Sequence, residues 1–393
     1  MARKMKDSGI EWIGKIPEGW EVVQLKRFAE VHNGREIDVE VDSTDSSAVG
    51  VYGSGGVFKY TNRAQYSGKA VLFGRKGTLG KPLYVEGQLW AVDTMYFLTY
   101  SNRLLEKFSY YQFLAFNWAP YITHTAIPSV VASEIVACYF PIPPLEEQAK
   151  IADYLDNGCA SLDTILDKTR SSIEECKKLK QAVITQAVAT QQCSHIKLKY
   201  LMNVIVDCPH ETPTYSFTGN YYVIRTADQA LASLRCDEDM YRLDASEYKK
   251  RTRRLTLDKD DIVYGREGER WGLACIVPES NKYCLGQRIM QFRCNTKFLY
   301  PKYAMYALNS EPVYLQGVAD TIGSTSPHVN ISTVCNYLLP VPALTEQKEI
   351  ANYLDAKCAE IDRLIAKKEQ LVKELESYKK SLIYEVVTGK REV

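Results

Sequence analysis

Two arginines occupy the same place in two similar runs, VLFGRKGTLGKPLYV (71–85) and IVYGREGERWGLACIV (262–277). In each, an apolar stretch ends in Gly-Arg-x-Gly, crosses a polar tip and returns to an apolar stretch, as a hairpin does. Glycine there permits positive φ and close backbone approach, and arginine offers a planar five-donor fork suited to phosphate or to guanine. The first tip carries Arg75, Lys76, Thr78 and Lys81, and the second carries Arg266, Glu267, Arg270 and Trp271. Taken alone, such a hairpin is more often an ordinary turn with a solvated tip. A second shared feature lies further along each half. HTAIPSV (124–130) holds His124 and Thr125, and STSPHV (324–329) holds Ser324, Thr325 and His328. Each sets hydroxyls or imidazole beside a proline-fixed turn, as a contact loop would.

Catalytic signatures are missing from the sequence. Gly74–Lys81 is not a phosphate loop, because Arg75 stands where the first glycine is needed and Pro82 follows Gly80-Lys81. There is no His-Glu-x-x-His, EF-hand loop, paired Cys/His zinc spacing or Gly-x-Ser-x-Gly, and the five histidines stand far apart. Neither an Asn-Pro-Pro-aromatic run of the amino-methyltransferase kind nor a nuclease-like Pro-Asp with Glu-x-Lys occurs. The 11 cysteines are scattered without a Cys-x-x-Cys, which implies reduced thiols in a cytoplasm. The N-terminal residues are charged and lead into no apolar run, and no stretch reaches ~18 apolar residues, so neither export nor a membrane span is expected. Net charge is +1, distributed as +1 over 1–138, −2 over 139–194, +2 over 195–338 and 0 over 339–393. Binding to nucleic acid therefore rests on local patches, since bulk charge does not supply it.

The elements that must position these tips are two copies of one long helix. FPIPPLEEQAKIADYLDNGCASLDTILDK from Phe140 returns as LPVPALTEQKEIANYLDAKCAEIDRLIAK from Leu339, an offset of 199 residues, with 18 of the 50 positions from Phe140 to Ala189 identical. A self-match of this length, in one register and with shared prolines, marks an internal repeat. The prolines hold the chain extended, and acids in the first turn complement the helix dipole. In the second copy Ile350, Leu364, Leu371 and Tyr378 fall on one seven-residue track, and Leu354, Ile361, Leu375 and Leu382 on another, which predicts a coiled-coil seam. The first copy has Thr169 and Ser172 at seam positions and Gly158 in an early turn. The natural partner for such a stripe is the duplicate. Short β-like runs with one helix fill the intervals, and the lead SGIEWIGKIPEGW, with Trp12 and Trp20, is expected to pack in a core. The order is globular domain 1–139, helix 140–194, globular domain 195–338 and helix 339–393: an α+β fold of two mixed α/β heads separated by two long antiparallel coiled-coil helices, with a pseudo-two-fold internal repeat.

The lead at 8–26 and the doubled Pro-Pro-Leu-x-Glu-Gln-x-x-Ile-Ala-x-Tyr-Leu-Asp helix, complete at Pro143–Asp156 and with Ala343 replacing one proline at Pro342–Asp355, resemble the specificity subunits of type I DNA restriction-modification enzymes. The resemblance spans the whole chain, although the heads match by position and hairpin only. It implies an elongated, non-catalytic subunit whose two target-recognition domains each read one half of a split, asymmetric double-stranded DNA target. It further implies two methyltransferase subunits that modify adenine N6, and two restriction (motor-nuclease) subunits. S-adenosylmethionine, ATP and Mg2+ would be used by those partners, with no cofactor or metal in this chain. On this reading Arg75 and Arg266 each touch DNA, together with the other tip and loop residues above and with Tyr52, Ser54, Lys59, Arg225, Gln287 and Arg288. The helix starts supply partner contacts through Glu147, Gln148, Ile151, Tyr154 and Leu155, and through Glu346, Gln347, Ile350, Tyr353 and Leu354. The rival from another class is a duplicated coiled-coil adaptor whose heads bind protein or glycan, and DNA binding that appears on adding a methyltransferase subunit separates the two.

Overall fold

The computed structural model describes residues 3–123, 125–189, 193–235, 237–268, 270–321 and 327–393. Both helices begin where the prolines set them. The Pro144 carbonyl accepts the N–H groups of Glu147 and Gln148, both at 2.9 Å, and the Ala343 carbonyl accepts that of Gln347 at 2.9 Å. From there one helix runs Leu145–Ala189 and the other Leu344–Val387, 45 and 44 residues.

Along the middle of the first helix Leu155, Cys159, Leu162, Leu166, Thr169, Ile173, Cys176 and Lys180 are buried, alternating by four and three as a coiled-coil seam requires. Thr169 is tolerated there because its hydroxyl donates back to the Ile165 carbonyl at 2.7 Å. On the second helix the expected track Leu354–Ile361–Leu375–Leu382 does face inward, but of the other only Ile350 does: Leu364, Leu371 and Tyr378 are 45%, 42% and 49% exposed. Their neighbours Ile365, Val372 and Lys379 are the half-buried ones. Leu364-Ile365 and Leu371-Val372 are adjacent apolar pairs, so a count of sevens alone favours neither member. Packing decides for the second.

The chain divides into two compact units, residues 1–170 with 370–393, and residues 171–369, so each long helix contributes to both. In the first unit Asp163 accepts from Lys379 at 2.6 and 2.7 Å, and Glu376 accepts from Arg170 at 2.6 Å, an antiparallel order. In the second unit Asp362 accepts from Lys180 at 2.9 and 2.8 Å. Since 163 + 199 = 362 and 180 + 199 = 379, one interaction is made twice with its partners exchanged. That reciprocity is the mark of an isologous pairing of like elements.

The heads share a four-strand core. In the first unit the sheet order is Ala29–Asn33, Met95–Tyr100, Tyr66–Gly74, Leu83–Ala91, Val49–Gly53, Gly56–Thr61, with only the Leu83–Ala91/Val49–Gly53 pair parallel. In the second it is Met202–Asp207, Ile289–Cys294, Ile262–Gly265, Ala274–Ile276, all antiparallel, matching the first four strands of the other sheet. A two-stranded ribbon leads into each helix, Tyr139–Ile142 on Glu21–Gln24 and Leu338–Val341 on Ser194–Lys197. The second head adds a sheet ordered Tyr241–Leu243, Tyr221–Ile224, Tyr283–Leu285. The first core gathers Trp20, Phe73, Phe113 and Phe140 on Leu155 and Leu382, which bears out the expected burial of the aromatic lead. The second gathers Tyr264, Phe292, Tyr303 and Tyr337 on Ile184 and Leu354. Among the described residues no helix is long and apolar enough to cross a membrane.

Candidate nucleic-acid interface

In both heads the Gly-Arg-x-Gly tip and the proline loop form one structure. The Gly77 N–H donates to the Pro128 carbonyl at 2.9 Å, and Val130 N–H returns to the Arg75 carbonyl at 3.1 Å. In the second head Gly268 donates to Pro327 at 2.8 Å and Val329 to Arg266 at 3.1 Å. The middle glycines take φ of +81° and +83°, where a side chain would be strained. The leading glycines are fixed by close approach: a Cβ on Gly74 would lie 2.2 Å from the Thr78 carbonyl oxygen, and one on Gly265 3.0 Å from that of Arg270. Lys76 bridges Ser129, and Glu267 bridges His328, at the matching position. Thr125 turns on itself, its hydroxyl donating to the Ile127 carbonyl at 2.7 Å. His124, Ser324 and Thr325 lie outside the described residues.

The two tips differ in charge. Arg75 is half-exposed and lies over the Tyr96 ring, 5.6 Å from its centroid. Among the described residues no carboxylate pairs with Arg75, Lys76 or Lys81, and Lys76, Thr78 and Lys81 are exposed. Arg266 is instead buried, its Nη2 2.6 Å from Glu267 and 3.3 Å from Asp207. Two acids of the chain engage it, where the sequence expects it to touch DNA as Arg75 does. Two positions differ between the heads: Lys76 of the first tip is matched by Glu267 in the second, and Asn33 of the first sheet is matched in register by Asp207.

Other expected contact residues are also committed to the fold. Trp271 is buried and stacked on Tyr314 at 4.5 Å, and Arg270 donates to the Ala227 and Gln229 carbonyls at 2.9 and 3.1 Å. Arg225 is held by Asp228 through two bonds of 2.9 and 2.8 Å and lies 3.7 Å over Tyr241. Lys59 is paired with Glu40 at 2.7 Å. Tyr52 and Ser54 are half-buried at the turn between Val49–Gly53 and Gly56–Thr61, and Gln287 and Arg288 are exposed beside the second tip.

The ten helix-start residues divide the same way in both copies, except for Glu147 and its counterpart Glu346. Gln148 and Gln347 are fully buried. Gln148 Oε1 accepts Leu105 N–H at 2.8 Å while its amide donates to the Pro143 and Arg103 carbonyls; Gln347 does the same for Tyr300 at 2.7 Å, Pro342 and Phe298. Ile151, Leu155, Ile350 and Leu354 are core residues. Glu147 accepts from Arg3 and from Trp20 Nε1 at 3.0 Å. These residues clamp head to helix, so they are not free for a partner. Tyr154 and Tyr353 are exposed and Glu346 half-buried, and they remain available.

The sequence reading missed a second clamp. Tyr111 donates to Asp156 at 2.6 Å and Tyr306 to Asp355 at 2.9 Å, with Lys107 and Lys302 paired to the same carboxylates. Burial first, and the aspartate beside each, push both phenols well up, which keeps them as donors. The repeated Tyr-Leu-Asp was the available signal. Also missed was His210, whose Nε2 lies 3.0 Å from Asp207. Asp207, Cys208 and His210 place their ligand atoms within 4.8 Å of one another. However, Arg266 occupies the same carboxylate and the Arg288 N–H donates to the Cys208 sulfur at 3.1 Å. This donor set is engaged, and the guanidinium opposes a cation.

A duplicated protein with two like heads, each clamped to one of a pair of long helices and presenting a glycine-bounded loop, is the class these features define. A sequence model of the family described as "Type I restriction modification DNA specificity domain" matches residues 17–175 and 208–375, and the chain belongs to that family. It is 23% identical to the type I restriction enzyme MjaVIII specificity subunit of Methanocaldococcus jannaschii, over 96% of this chain and 94% of that one. It is 29% identical to the EcoBI specificity subunit of Escherichia coli over 33% of this chain and 27% of that one. A chain from a study of complex assembly and conformational transition of the type I R-M system superposes with a TM-score of 0.69 at 16% identity, covering 96% of this chain and 99% of that one.

Proposed function

We propose that this specificity subunit reads a bipartite, asymmetric double-stranded DNA target, one half per head, and scaffolds two adenine-N6 methyltransferase subunits, with two restriction subunits joining for cleavage. Catalysis then resides in the partners, which use S-adenosylmethionine, ATP and Mg2+, and the complex works in the cytoplasm. The observation that carries the reading is the pair of equivalent tips with unlike chemistry, Arg75 free of acids and Arg266 neutralised by Asp207 and Glu267. Like scaffolds with unlike tips suit two different half-sites, because base identity is read by the donors and acceptors a tip presents. Near-neutral net charge fits a subunit whose partners supply much of the phosphate attraction.

The test is to express the chain with its methyltransferase subunits and map methylated adenines across a genome. A split motif with two different halves is expected. A palindromic motif, or methylation without sequence preference, would overturn the reading.

A further inference from the structure

The second tip carries a polar knot that the first lacks. Its base is Arg266, whose side chain is only 8% exposed and whose Nη2 reaches both Asp207 and Glu267. Two atoms within it, Arg266 Nε and Asp207 Oδ1, are buried without a partner. Above it stand two exposed donors. His210, 68% exposed, has Nε2 3.0 Å from Asp207 Oδ2. Arg288, 53% exposed, has Nε 3.8 Å from Glu267 Oε2. A Cβ on Gly268 would meet Arg288 Nη1 at 3.6 Å, so this guanidinium lies over the tip itself.

Arg288 is also held in an uncommon conformation. Its φ is +68°, a strained region that few non-glycine residues enter. Hydrogen bonds fix it on both sides: its N–H donates to Cys208 Sγ at 3.1 Å and its carbonyl accepts Arg266 N–H at 2.9 Å. Strain maintained in this way aims a side chain that a relaxed turn would release. Two acids, Asp207 and Glu267, offset two arginines, Arg266 and Arg288, so with neutral imidazole the knot has no net charge. It offers little to a phosphate and much to a base edge, which presents donors and acceptors together.

We propose that Arg288 and His210 are the base-contacting residues of the second head, that Arg288 takes a guanine of the second half-target, and that Asp207 and Arg266 are positioning residues beneath them. This rests on the DNA-reading function proposed above. In the full methyltransferase complex, base preference at each target position is measured by methylation of a randomised library, for wild type, Arg288→Lys, His210→Asn and Asp207→Asn. Arg288→Lys keeps the charge and loses the fork, and should relax one G·C position of the second half-target by about ten- to a hundredfold. The first half-target stays unchanged in all three variants. Asp207→Asn should loosen positions in the same half, which a residue serving the fold alone would not do. Unchanged preference in Arg288→Lys and His210→Asn, with wild type still selective, overturns the proposal. Uniform weakening at all positions, with a salt dependence lowered by about one unit in Arg288→Ala, marks a phosphate contact and overturns it too. A wild-type complex without any preference fails the functional reading itself.

Discussion

At the scale of single residues, the two tip arginines should separate cleanly. Arg75→Ala removes a half-exposed side chain and should leave stability within about 0.5 kcal/mol while weakening DNA binding by the complex. Arg266→Ala strands Asp207 and Glu267 against each other and should cost about 3 kcal/mol in urea unfolding. Gln347→Ala leaves the Tyr300 N–H and the Phe298 and Pro342 carbonyls without their partner, a loss of about 2 kcal/mol. Burial pushes the thiols of Cys275, Cys284 and Cys294 up to about 12. They should resist alkylation in the native state at pH 8, and only unfolding should expose them. The sign of the linkage follows. The unfolded chain releases these protons above about pH 8.5 while the folded one keeps them, so stability is full below that pH and falls from there toward pH 12. A pH series of urea melts that rises across this window would contradict the burial. The glycines and Arg75 were legible in the sequence because a tight turn needs those residue types at that spacing. The burial of Arg266 was not, because its acid Asp207 lies 59 residues away on another strand of the sheet.

At the scale of elements, the reciprocal ion pairs of the long helices are chemically identical but differently buried. The Lys180 side chain is enclosed and donates also to the Leu231 carbonyl at 2.8 Å, whereas both members of Asp163–Lys379 reach water. Asp362→Ala should therefore cost on the order of 3 kcal/mol by leaving an enclosed ammonium unpaired. Asp163→Ala should cost less than about 1 kcal/mol. Thermal melts of the two variants test the difference, and equal losses would sink it. A Cβ on Gly158 would lie 3.6 Å from Leu382 Cδ2, an ordinary van der Waals contact, and its repeat counterpart is Lys357. Gly158→Ala should then stabilise the first helix by about 0.5–1 kcal/mol. The helices themselves, their starts and one seam track could be read from the sequence. The second track could not, because Leu364/Ile365 and Leu371/Val372 offer both registers and only the packed neighbour chooses.

For the whole molecule, duplication is visible in the sequence along the helices and in the Gly-Arg-x-Gly tips, yet the four-strand order of the heads repeats in full. Both helices keep the residues the clamps use: Gln148 and Gln347, Asp156 and Asp355. Elsewhere the helix pair has drifted. Arg170 pairs with Glu376, and the repeat counterparts of these residues are Glu369 and Lys177. A half-chain holding the first copy would, in pairing with itself, set Arg170 against Lys177, and one holding the second would set Glu369 against Glu376. Each self-pairing meets like charges, while the mixed pairing meets opposite ones. Two co-expressed halves should thus assemble preferentially with each other, and Arg170→Glu should shift the balance. Native mass spectrometry of the mixture counts the species.

One contact made early in the chain is completed only at its far end. The Tyr384 hydroxyl donates to the Trp12 carbonyl at 2.9 Å, and Gly389, at φ +69°, lets the backbone settle where a Cβ would strike Pro17 at 2.4 Å. The end of the last helix thus packs on the segment that precedes the first head, within one compact unit. A chain rewritten to start at the second head, with its old ends joined by a flexible linker, should melt and bind as the original does.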